Sequence, residues 1–258
     1  MTIAGSDPGG GAGLQSDIRT FAALGVYGYA VLTSVIAQSS LRVARVSPVA
    51  PDLVTAQIEV LVEEARPVAI KTGALASADN VRAFADAITS YKLPAPVVDP
   101  VMIASSGARL LERRAVKLLR DRLIPLARIV TPNASEAEAL IGVKIRDQES
   151  VREAARKIVA TGAHAVLIKG GHLRDRAHAT DLFYDGRNFV ELRGPRIAGG
   201  GAHGTGCVLS AAIAAYLARS DALEDAVRHA KTFISAALRA SFKIGKSRAL
   251  LDQFAPRR

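Results

Sequence analysis

The chain has one cysteine, five histidines and few aromatic residues, 5% in all. A lone Cys207 closes no intramolecular disulfide, and the scattered histidines offer no zinc-ligand spacing, so disulfide and structural-metal scaffolds are excluded. No window of about 18 residues is both apolar and uncharged, and Met1 to Asp7 lack the basic-then-apolar order of an export signal. These absences predict a soluble, cytoplasmic protein with no membrane segment. With 49% apolar and 22% charged residues among 258, the composition also excludes disordered, collagenous and coiled-coil chains.

The formal charge of +10 raises the question of a nucleic-acid surface. Its densest basic stretch, Arg109 to Arg128, interleaves arginines with Leu110, Leu111, Val116, Leu118, Leu119 and Leu123. That pattern predicts the solvated face of an amphipathic helix, and no aromatic side chains are interleaved for base stacking, so no nucleic-acid partner is expected.

Short β-branched runs alternate with helical periods, the signature of βα units and a parallel sheet. Candidate strands are Thr2-Ile3-Ala4, Tyr29 to Ala37, Val68-Ala69-Ile70, Val97-Val98, Ile129-Val130 and Ala165 to Ile168. The first is short, which predicts either a truncated strand or further residues upstream of Met1. Leu14, Ile18, Phe21 and Ala22 share a helical face that ends at Gly25. Asp52 after Pro51 is expected to cap a second helix, with others from about Asp79 to Tyr91 and Val151 to Ala160. Asp185-Gly186 between two extended runs, over Asp181 to Leu192, predicts a hairpin. No linker or repeat divides the chain, so residues 1–258 read as one domain.

Nearly every strand ends in a small or polar cluster: Gly5 to Gly13, Lys71-Thr72-Gly73, Asp99-Pro100-Val101-Met102, Thr131-Pro132-Asn133 with Glu136, and Lys169-Gly170-Gly171-His172. Ligands bind along the carboxyl edge of an open parallel sheet, so these clusters are expected to line one cleft. The glycine run at 9 to 13 fits neither a dinucleotide fingerprint nor a P-loop. Ala240 to Ser247 matches a relaxed P-loop but follows a helix where a strand is required.

Gly199-Gly200-Gly201-Ala202-His203-Gly204-Thr205-Gly206-Cys207 leads into the almost wholly apolar run Val208 to Leu217. A glycine-rich turn opening a buried helix directs free amides and a positive dipole end at the cleft, an anion site suited to a transferring phosphoryl group. Cys207 in the first turn is expected to favour thiolate and, as the candidate proton acceptor, need only accept a hydrogen bond as the hydroxyl attacks. Asn133 and Glu136 can hold Mg2+ or its waters, and Lys169 can balance phosphate charge, so together these parts describe phosphoryl transfer from a nucleotide.

Taken in order, Ala4-Gly5-Ser6-Asp7, Leu14-Gln15-Ser16-Asp17, Ala37-Gln38-Ser39 and the motifs above, through His203-Gly204-Thr205-Gly206-Cys207, resemble the hydroxymethylpyrimidine/phosphomethylpyrimidine kinases of thiamin biosynthesis. The resemblance runs from about residue 2 to about 240. It implies a three-layer α/β/α ribokinase-like fold with a mainly parallel sheet, a small β lid within about 26–40, and a homodimer. It implies ATP and Mg2+, with 4-amino-5-hydroxymethyl-2-methylpyrimidine and its monophosphate as substrates. Asp17 and Gln38 would hydrogen-bond the aminopyrimidine, and Ala12 and Val35 would lie near its ring. Asn133 and Glu136 would serve metal and phosphates, Lys169 and Asp99 the phosphate region, Gly204, Thr205 and Gly206 the anion hole, and Cys207 catalysis. The chain departs from the family pattern at Ser39 to Arg42, at Ala202 and at Lys243 to Ser247. Pyridoxal kinase of the same superfamily and a non-catalytic pyrimidine-binding module are the alternative readings.

Overall fold

A computed structural model describes residues 1–170, 178–195 and 202–255. Gly171-His172 and Gly199-Gly200-Gly201 lie outside the described residues. Nine strands form one sheet: β1 (Thr2–Gly5), β2 (Ala30–Gln38), β3 (Val43–Pro48), β4 (Lys71–Thr72), β5 (Val97–Val98), β6 (Ile129–Val130), β7 (Val166–Ile168), β8 (His178–Tyr184) and β9 (Phe189–Pro195). The spatial order is β3-β2-β1-β4-β5-β6-β7-β8-β9. β2 through β7 run parallel apart from β3, which pairs antiparallel with β2 at one edge, and the β8–β9 hairpin pairs antiparallel with β7 at the other.

Helices cover both faces. On one lie α2 (Pro51–Glu64), α3 (Ala78–Ser90), α4 (Ala115–Leu118), α5 (Ala134–Ile141) and α6 (Gln148–Ala160). On the other lie α1 (Gly13–Ala23), α7 (Thr205–Ala218) and α8 (Leu223–Arg239). The central strands read as unbroken apolar pairs because successive side chains feed opposite layers. Val98, Val130, Val166 and Ile168 join the core that holds Ile58 and Phe84, whereas Val97, Ile129 and Leu167 join that of Phe21, Ile213 and Phe233. α7 is buried from Val208 to Ala215, and its alanines let it press against α1 and α8 as well as the sheet.

Local sequence misplaces several elements. The strand expected at Val68 to Ile70 forms at Lys71–Thr72, because pairing with Thr2 and Ile3 sets its register and leaves Val68 74% exposed. Asp52 is not the cap of α2: Ala50 holds that position, with Pro51 and Asp52 already in the first turn. The basic stretch from Arg109 is not one amphipathic helix. Ile103 bridges to Arg109, Leu110 and Leu111 are buried in a loop, and the helix starts only at Ala115 before tightening into a 3-10 turn at Pro125. β3 and α5 have no counterpart among the expected elements, whereas α8 is the helix expected ahead of Ala240. The range 26–40 contains β2 alone, and its antiparallel partner begins at Val43.

Candidate active site

The carboxyl ends of β1, β4, β5, β6 and β7 share one edge of the sheet, and the polar clusters that follow them meet there. After β7, Lys169 reaches back across the edge. Its Nζ donates to Asp99 Oδ1 at 3.0 Å and lies 3.8 Å from Glu136 Oε2. Asp99 is 2% exposed; Thr131 Oγ1 donates to its Oδ1 and Ser210 Oγ to its Oδ2, both at 3.4 Å. Burial acts to lower Lys169, but the carboxylates of Asp99 and Glu136 hold its ammonium well above the ordinary lysine value.

Asn133 and Glu136 open α5 as a reciprocal capping box. Asn133 Oδ1 accepts from the Glu136 amide at 2.9 Å, and Glu136 Oε2 accepts from the Asn133 amide at 2.8 Å. Burial pushes the Glu136 carboxyl up to about 7, against the pull of Lys169. Asn133 therefore spends its side-chain oxygen on the helix, while Glu136 and Asp99 present hard oxygens on either side of Lys169.

The leading end of α7 faces this group. A Cβ on Gly206 would stand 3.2 Å from Lys169 Nζ and 3.5 Å from Asp99 Oδ2, so amide, ammonium and carboxylate meet at one point. No side chain among the described residues caps α7. Gly204 has φ +84, and a Cβ there would collide with the carbonyl oxygen of Gly11, so two glycine-bearing loops pack backbone on backbone. Thr205 Oγ1 donates to Ala202 O at 2.8 Å, which turns the hydroxyl away from the free amides. Thr205, Gly206 and Cys207 are all half-buried.

Cys207 departs from expectation. Burial pushes its thiol up to about 11; Lys71 and the amide of Gly13 favour the thiolate but do not overcome that cost. At neutral pH the group is a thiol, because desolvation outweighs the helix dipole that suggested thiolate.

Behind it lies a buried ion pair. Lys71 Nζ donates to Asp17 Oδ2 at 2.7 Å, Thr2 Oγ1 donates to the same oxygen at 2.6 Å, and both charged side chains are wholly buried. Burial raises Asp17; it also acts to lower Lys71, whose ammonium is nevertheless held up by the carboxylates of Asp17 and Asp99. Asp17, expected at the pyrimidine, is thus enclosed as the counter-ion of Lys71. Ala12 is buried with its amide on Asp7, whereas Val35, 55% exposed, and the half-buried Gln38 stand on β2 across the opening.

Sequence reasoning gave Lys71 no role. A lysine inside a buried parallel sheet requires a carboxylate, and that was the available signal. Asp7 and His203 were likewise quoted only as parts of motifs, yet their side chains meet at 2.8 Å.

The description "Phosphomethylpyrimidine kinase" belongs to the family profile that matches residues 7–252. The chain belongs to the phosphomethylpyrimidine kinase family. It is 45% identical to the hydroxymethylpyrimidine/phosphomethylpyrimidine kinase of Rhizobium meliloti over 257 residues, covering 98% of this chain and 96% of that one. A thiamine biosynthesis bifunctional protein of Geobacter sulfurreducens is also 45% identical, over 95% of this chain, and the chain spans 50% of its length. Among solved structures, a Bacillus subtilis pyridoxal kinase in an ADP complex superposes with TM-score 0.90 at 36% identity, covering 99% of this chain and 97% of that one. A phosphomethylpyrimidine kinase from Clostridium difficile 630 gives 0.81 at 37% identity, covering 92% and 97%. These neighbours, with the two helical layers on a mainly parallel sheet, make the fold ribokinase-like. No helix among the described residues is long and apolar enough to cross a membrane.

Proposed function

We propose that this family member transfers the γ-phosphoryl group of ATP to the hydroxymethyl oxygen of 4-amino-5-hydroxymethyl-2-methylpyrimidine, and then to the monophosphate so formed, in thiamin biosynthesis. The observation that carries the reading is the uncapped start of α7 set against Lys169 and Asp99 at the carboxyl edge of the sheet. The hydroxyl oxygen attacks the γ-phosphorus, the bond to the ADP oxygen breaks, and negative charge spreads over the equatorial phosphoryl oxygens. The amides of Thr205, Gly206 and Cys207 and the ammonium of Lys169 stabilise that charge where water would otherwise have to reorganise. A neutral Cys207 thiol cannot take up the hydroxyl proton; its sulfur accepts a hydrogen bond that orients the nucleophile, and the proton leaves late to a product phosphate oxygen and solvent.

Mg2+ fits the site through its water shell. It keeps several waters and takes one or two carboxylates plus nucleotide phosphates, which suits Glu136 and Asp99; Asn133 contributes by holding Glu136 in place. No cluster of three His, Cys, Asp or Glu among the described residues would hold a metal by itself. When bound, the ion supplies charge neutralisation between nucleotide phosphates. Gln38, with a donor and an acceptor, would read the aminopyrimidine edge, Val35 and Ala12 would flank the ring, and Asp17 would act through Lys71. The reading includes a cytoplasmic homodimer whose β2–β3 hairpin serves as lid, testable by light scattering of the purified chain.

A second reading, pyridoxal phosphorylation, is favoured by the higher TM-scores of the pyridoxal kinases, 0.90 and 0.91, against 0.81. Coupled ATP-consumption assays with the pyrimidine alcohol, its monophosphate and pyridoxal separate the two. Turnover of both pyrimidines supports the proposal, turnover of pyridoxal alone replaces it, and turnover of none leaves a pyrimidine-binding module.

A further inference from the structure

We infer that Asp7 and His203 form a positioning latch that holds the glycine loop before α1 against the anion-binding start of α7. The inference deepens the kinase reading and rests on it for its kinetic arm.

His203 Nε2 donates to Asp7 Oδ2 at 2.8 Å, joining residues 196 apart in the chain, and the two side chains are 7% and 0% exposed. Asp7 also organises its own loop. Its Oδ2 accepts from the Ala12 amide at 2.8 Å, its Oδ1 from the Gly9 amide at 3.0 Å, and its amide donates to Gln15 Oε1 at 2.8 Å. Burial works to raise this carboxyl, yet the hydrogen bonds from His203, Ala12 and Gly9 leave it below the ordinary value, so it is an ionised acceptor and His203 the donor.

Both arms of the latch lead to the reaction centre. On one side the Asp7 loop ends at Gly13, whose backbone acts on Cys207 by favouring its thiolate. On the other, His203 precedes Gly204, and its own amide is fixed by Ala249 O at 2.9 Å. A Cβ on Gly11 would stand 2.6 Å from His203 Cδ2 and one on Gly204 would strike Gly11 O, so the loops touch with nothing between them. His203 Nδ1 is buried without a partner among the described residues, so Nε2 is the ring nitrogen through which His203 joins the loop. The latch therefore needs a donor at that position.

The loops it joins stabilise transition-state charge, so loosening them should lower kcat more than it raises KM. Asp7→Asn leaves an amide NH2 facing the donors of Gly9, Ala12 or His203, and His203→Leu removes the donor. Each should lower kcat by about 10- to 100-fold, the worth of one charged hydrogen bond, with KM for the pyrimidine within about threefold. His203→Gln, which restores a donor near Nε2, should recover kcat to within about threefold and keep the wild-type pH profile. The double variant Asp7→Asn/His203→Leu should be no slower than the worse single one.

Cys207, the sole thiol, gives a readout independent of turnover. Iodoacetamide should label it several-fold faster in Asp7→Asn and His203→Leu than in the wild type or His203→Gln. The latch is overturned by folded single variants with unchanged kcat, by losses that multiply in the double variant, or by a change confined to KM. Unchanged labelling overturns it even if the wild type phosphorylates nothing, and the Asp7→Asn and His203→Gln pair decides the matter should His203→Leu fail to fold.

Discussion

Asp17→Asn separates two roles for one carboxylate. In the structure its Oδ2 receives Lys71 Nζ at 2.7 Å and Thr2 Oγ1 at 2.6 Å, with no exposure of either charged side chain, and Oδ1 is buried without a partner among the described residues. Asparagine keeps the shape and an acceptor but strands a buried ammonium. Removing one member of such a pair costs about 3–5 kcal/mol. For a chain of 258 residues each kcal/mol moves the melting temperature by about 2–4 °C, so the variant should melt roughly 10 °C lower. Asp17→Leu combined with Lys71→Met removes both charges and should recover much of that loss, since a well-packed apolar pair often replaces a buried ion pair without penalty. Thermal melts by circular dichroism, with KM for the pyrimidine measured below the transition, provide the assay. Melting within about 2 °C of the wild type together with a tenfold higher KM would refute the reasoning and make Asp17 a direct substrate ligand.

Five further outcomes are expected. At pH 8 a thiol raised from 9.0 to about 11 holds about 100-fold less thiolate than a free one, so Cys207 should react with a disulfide reagent correspondingly slowly; labelling as fast as free cysteine would contradict this. Because the unfolded chain loses that proton at lower pH than the folded one, the stability the neutral thiol contributes is complete below pH 9.0 and disappears as pH rises through about 11, which urea titrations across that range would register. Gly204→Ala meets the Gly11 carbonyl and a φ of +84 that costs about 1–2 kcal/mol with a side chain, so it should lower both the melting temperature and, by at least about tenfold, kcat. Lys169→Met removes the cation shared by Asp99 and Glu136 and should lower kcat/KM for ATP by about 100-fold; an unchanged value would place the nucleotide elsewhere. Gln38→Leu should raise KM for the pyrimidine by about 10- to 100-fold with kcat less affected, and steady-state kinetics that show neither change would remove Gln38 from the pocket.

Periodic and covalently local features could be read along the chain. Alternation in Val97-Val98, Ile129-Val130 and Leu167-Ile168 marks strands buried on both faces, and the apolar run after Cys207 marks a helix buried all round. Glycines ahead of that helix indicate free amides, since only a bare backbone approaches so closely. Clusters after successive strands point to a single edge because parallel topology leaves their ends no other place to go. The offset of β4 from Val68 to Lys71, the late start of α4 and the existence of β3 were not legible, because pairing partners and loop burial determine them and propensity does not.

What the amino-acid sequence by itself determined is therefore the layered α/β class, the glycine-rich approach to α7 and the chemical types gathered at the sheet edge. Only the tertiary structure decided which of those groups face one another. Lys71 finds Asp17 across 54 residues and His203 finds Asp7 across 196, and those meetings enclose one expected ligand and reveal a latch. The same burial keeps Cys207 a thiol. Charge state and pairing depend on the distance to distant neighbours and on the water excluded between them, and neither quantity is encoded in any local stretch of chain.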